Sequence, residues 1–69
     1  MDAQTLLEQL KADRNAAIAR QRKCRKNIKS AEEAGDPKMV LHWEQEYDRA
    51  WFESSELKRT IDIIEKKLA

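Results

Sequence analysis

Two rows of mostly apolar positions, each spaced alternately by four and three residues, run along this 69-residue chain and mirror one another about Gly35-Asp36-Pro37. The first comprises Ala3, Leu7, Leu10, Arg14, Ala17, Gln21, Cys24, Ile28 and Ala31. The second comprises Val40, Trp43, Tyr47, Ala50, Ser54, Leu57, Ile61, Ile64 and Leu68. Steps of this kind return to one helix face every two turns, so each row predicts a long helix with a single packing stripe. Facing residue numbers sum to 71 when the arms fold back on each other. An antiparallel hairpin is the arrangement that brings residues equidistant from a turn into contact. The expected fold is therefore all-α: one antiparallel, coiled-coil-like two-helix hairpin over residues 1–69, with four-helix-bundle assembly as its expected quaternary form.

The punctuation agrees with the pattern. Gly35 can take the left-handed backbone that closes a helix, Asp36 can cap the next one, and Pro37 suits a first helical position. Helix one is expected over about 3–34, the turn at 35–36 and helix two over about 37–68. For the start of helix one, Thr5 with Glu8 reads as a capping box, and Asp2 offers an earlier cap. Each arm of roughly 30 residues would be about 45 Å long.

Across the seam Ala31 meets Val40, Ile28 meets Trp43, Cys24 meets Tyr47, Leu10 meets Ile61, Leu7 meets Ile64 and Ala3 meets Leu68, so several large side chains face smaller ones. The middle is thin and partly polar, where Gln21 faces Ala50, Ala17 faces Ser54 and Arg14 faces Leu57. Polar seam positions cost stability and help to fix register. On the flanks the same register sets Arg25 near Glu44, Arg20 near Glu53 and Ile18 near Trp51. Exposed ion pairs of this kind contribute only about 0–1 kcal/mol each, so they bear on register more than on stability.

Composition narrows the function classes. The chain is 39% charged, with one glycine and one proline, as befits long exposed helices. No run of about 18 apolar residues is present, so no membrane span is expected, and the opening Asp2 does not resemble a secretory leader. Cys24 is the sole cysteine and no metal-ligand spacing accompanies it. A reducing, cytoplasmic setting is the expectation, without cofactor or metal. Neither a glycine-rich phosphate loop nor a nucleophile paired with a base is found, and a non-enzymatic role follows. His42 stands one turn before Glu46, a pairing that chance readily produces on charged helices.

Two features exceed what a plain hairpin needs. Trp51 and Phe52 are adjacent aromatics outside the packing stripe, with Leu41 on the same outer side and Ile18 on the matching side of helix one. This second apolar surface suggests self-association, a dimer being favoured, or the docking of a different protein. Arg20, Arg22, Lys23, Arg25, Lys26 and Lys29 place six positive charges in residues 20–29 with no acidic one, although the net charge is only +1. Of these, Arg22, Lys23, Arg25, Lys26 and Lys29 are the candidate ligand or partner face. Glu44, Glu46, Asp48 and Glu53 on the other arm would neutralise part of the run. The expected function is a small protein-binding module of adaptor or inhibitor type that self-associates through one face and docks a partner with aromatic and basic residues. A nucleic-acid or nucleotide-binding regulator is the alternative, and a purely structural assembly element is the third reading.

Overall fold

A computed structural model describes residues 2–69, and Met1, the first position of the expected hairpin, lies outside the described residues. Two helices account for nearly all of it: α1 (Ala3–Glu33) and α2 (Pro37–Leu68), with no strand among the described residues. They pack along their lengths into a rod of 50 × 16 × 14 Å. Bonds between the arms run in opposite senses, from Arg25 with Tyr47 near the turn to Lys11 with Glu65 near the open end. The helical hairpin expected from the two stripes is what the chain forms.

Asp2, and not the Thr5-Glu8 box, starts α1. Its carboxylate accepts the Thr5 backbone N–H at 2.7 Å, occupying one of the orphan donors of the first turn. That bond holds the Asp2 carboxyl below its usual range. A carboxylate with a lowered folded-state pKa stabilises above the unfolded value, and the contribution disappears as pH falls through the folded one. Amide exchange at Thr5 is therefore expected to accelerate relative to mid-helix amides as pH drops below about 4. An unchanged protection ratio down to pH about 2 would remove the cap from this account.

The turn is a shared joint. α1 stops one residue earlier than expected, with Ala34 as its C-cap. Gly35 then takes φ +67°, its N–H donating to the Glu32 carbonyl while the Asp36 N–H donates to the Ala31 carbonyl, both at 3.0 Å. This is the paired closure that a left-handed residue after a helix allows. Asp36 next turns its carboxylate to the Met39 N–H at 3.2 Å and caps α2, whose first residue is Pro37. A Cβ on Gly35 would meet open space, so only backbone strain opposes a larger residue there. Gly35→Ala is expected to lower stability by about 1–2 kcal/mol and Gly35→Asn by less. Equal melting of the two variants would contradict that reading.

Every buried residue belongs to the two stripes: Leu7, Ala17, Cys24 and Ala31 on α1, and Ala50, Ser54 and Ile61 on α2. The stripe ends Ala3 and Leu68, at the open end of the hairpin, are exposed. At the waist the Ser54 hydroxyl lies 2.8 Å from Gln21 Oε1 and 3.0 Å from the Trp51 carbonyl, and its single hydrogen serves one acceptor at a time. Gln21 was expected opposite Ala50; its side chain is long enough to reach the next layer. Arg14, also in the waist, keeps a buried Nε without a hydrogen-bond partner among the described residues. The polar centre thus fixes register at a cost in stability.

Candidate interaction surface

The candidate surface follows from what the seam leaves over. A residue on α2 advances about 100° per step, so with Ala50 and Ser54 facing α1, Trp51 lies on one flank and Phe52 on the face turned away from α1. Their rings meet edge to face, centroids 5.3 Å apart and planes at 84°, in the geometry aromatic quadrupoles favour. Both remain open, Trp51 at 48% and Phe52 at 64% exposure. Leu41 is 57% exposed but stands eleven residues before Phe52, about 16 Å along the axis, so the two do not form one contiguous patch. Ile18 is half-buried on the flank of α1. The four residues expected to share a face therefore divide between a flank, with Ile18 and Trp51, and the outer side of α2, with Leu41 and Phe52.

Ile63, outside the two packing rows, is 50% exposed and lies eleven residues beyond Phe52 on that same outer line. The heptad rows directed attention to Ile61 and Ile64 as seam residues. The equal eleven-residue steps from Leu41 to Phe52 to Ile63 were the available signal.

Of the basic run, Arg20 is engaged, with its Nη2 2.6 Å from a Glu53 carboxylate oxygen across the arms, in the expected register. Arg25 departs from expectation. Instead of pairing with Glu44, it donates from Nη2 to the Tyr47 hydroxyl at 3.0 Å, its guanidinium 5.6 Å from the centre of that ring. Tyr47 is in the stripe and half-buried, so its hydroxyl emerges at the flank within reach of a long side chain from α1. Arg22, Lys23, Lys26 and Lys29 are exposed and enter no ion pair among the described residues. Of the acidic residues expected to neutralise them, Glu53 binds Arg20 and Glu46 binds Arg49 of its own helix at 3.6 Å.

Cys24 is buried in the seam at 6% exposure. A shallow groove beside it runs between the arms near Trp43. Arg20, Lys23 and Arg49 are offset there by Glu46 and Glu53, two of these cations through ion pairs, so its local field is largely cancelled. His42 is exposed with its ring edge against Trp43, centroids 4.8 Å apart. No group of three or more His, Cys, Asp or Glu side chains converges as a ligand set among the described residues. Neither helix is long and apolar enough to cross a membrane. Compared with known proteins, the chain matches no family model, and no curated protein or solved structure is significantly similar to it.

Proposed function

We propose that this chain is a non-enzymatic protein-binding module, of adaptor or inhibitor type, which associates with itself through its exposed aromatic surface into a four-helix assembly. The observation that carries this reading is the Trp51–Phe52 pair. Two adjacent aromatics lie in mutual contact yet about half exposed or more, Trp51 at 48% and Phe52 at 64%, on a rod whose own packing is already satisfied by the two stripes. Burying such side chains would add a few kcal/mol that a hairpin of this size otherwise lacks. Arg22, Lys23, Lys26 and Lys29 surround no acidic residue of their own stretch and remain free to orient a partner with negative charge.

Those same four unpaired cations support a second reading, a nucleic-acid or nucleotide-binding regulator in which association doubles the basic strip. Solution mass by light scattering at several concentrations and two salt levels, with absorbance checked for copurified nucleic acid, separates the two. A stable dimer free of nucleic acid supports the module. A monomer overturns self-association, and a nucleic-acid complex shed as salt rises moves the function to the second reading. Lys26→Glu with Lys29→Glu is expected to abolish partner binding at unchanged helicity and mass; retained binding would remove the basic strip from the site.

A further inference from the structure

We propose that two copies of the chain pair through the outer face of α2, antiparallel, about a two-fold axis at Phe52. This rests on the self-association reading above and gives it a definite geometry. Eleven residues make just over three helical turns, so Leu41, Phe52 and Ile63 project along nearly one line on the side of α2 opposite the seam. All three are at least half exposed. Because Phe52 is midway between the other two, the line is self-complementary, as a two-fold interface requires. Antiparallel copies related at Phe52 bring together residues whose numbers sum to about 104. Phe52 then meets the partner's Phe52, and Leu41 meets the partner's Ile63. Trp51, edge-on to Phe52 at 5.3 Å, widens the contact on one side.

The charges beside the line fit the same axis. An antiparallel two-fold pairing lays like flank against like flank. On one flank Glu44 comes beside the partner's Arg59, and on the other Arg49 comes beside the partner's Glu56. Glu44, Glu56 and Arg59 enter no ion pair within the chain among the described residues, and Arg49 has only its 3.6 Å contact with Glu46. The register also creates like-charged approaches: Asp48 with the partner's Glu56, one turn from Phe52 and with Arg49 and Arg59 beside them, and Lys38 with the partner's Lys66 and the partner's Lys67 beyond Leu41 and Ile63, where solvent screens the charge. The rod also has surface to spare. It exposes 5444 Å², against about 4,500 Å² for a compact monomer of its mass. The difference is comparable with the roughly 800 Å² each partner buries in a standard interface. In the resulting dimer the two α2 helices form the central pair and the two α1 helices, with Arg22 and Lys26, remain outside.

Sedimentation equilibrium of the full chain and five variants tests this. The wild-type chain is expected to be a dimer and Phe52→Asp a monomer of unchanged helicity, because the exposed Phe52 does not support the hairpin. Glu44→Arg and Arg59→Glu each act twice by symmetry and are expected to weaken association about ten-fold, and the double variant to return to within about three-fold of wild type. Such rescue does not arise from a merely structural role. A double variant no tighter than the singles overturns the axis while the dimer, and with it the self-association reading, stands. Dissociation by Ile18→Asp with no effect of Arg59→Glu does the same, placing contact on the Ile18–Trp51 flank as a closed four-helix bundle. A wild-type monomer overturns both.

Discussion

Ile61→Ala is expected to cost about 2–4 kcal/mol and to leave much of the chain unfolded at room temperature. Ile61 is 5% exposed and is the largest well-buried residue of α2, at the apolar end that also holds Leu7 and Leu10. Truncation removes its transfer free energy and opens a gap that two helices under little constraint can only partly close. A domain of this length draws roughly 3–5 kcal/mol from its core, so the loss is a large share of the total. Ile63→Ala, two residues further on and half exposed, changes the same side chain without touching the seam. In dilute solution it is expected to shift stability by less than about 0.5 kcal/mol. Urea denaturation followed by circular dichroism reads both variants, and equal midpoints would mean that the seam does not hold the arms together.

Ala17→Leu is expected to destabilise by about 1–3 kcal/mol for the opposite reason. Ala17 is completely buried at the waist, where its neighbours across the seam are small: Ala50 and Ser54. Small side chains let helix axes approach to the short end of the usual 8–10 Å range. Three added carbons must then force the arms apart or take strained rotamers, and they threaten the Ser54–Gln21 hydrogen bond beside them. Ala16→Leu, one position away and exposed, is the control; both residues are good helix formers, so it is expected to be near neutral. A thermal melt in which Ala17→Leu matched wild type would show that the waist is loosely packed and that the arms are joined mainly at their ends.

The packing stripe was readable because it is periodic. Each α2 residue that is buried, and each on α1, stands at a position that the alternation of fours and threes selects, and Cys24 is buried for that reason. The turn was readable because Gly35, Asp36 and Pro37 are each suited to one backbone task. Individual polar partners were less legible. Arg20 reaches Glu53 as the register requires, but Arg25 takes Tyr47 over Glu44. A guanidinium on a long stem can satisfy itself at several points around its helix, and residue spacing does not choose among them. Gln21 binding Ser54 one layer away from its expected neighbour has the same cause. The candidate surface was legible in its residue types and less so in its shape. Trp51 and Phe52 are prominent in any reading, and the eleven-residue steps put Leu41 and Ile63 on the same outer line, but that all three of Leu41, Phe52 and Ile63 stay uncovered is seen only in their exposure.

The sequence by itself determined two helices, the face each buries, and the place where the chain reverses. Those properties follow from local backbone preference and from a periodicity written residue by residue. Only the tertiary structure decided how the arms share their polar groups and which apolar residues remain uncovered. It sets the Gln21–Ser54 bond, the Nε of Arg14 without a partner among the described residues, the Tyr47 contact that draws Arg25 from Glu44 on the same arm, and the exposure of the line from Leu41 through Phe52 to Ile63. These depend on the distance and rotation between two helices, which arise from all the seam side chains packing at once.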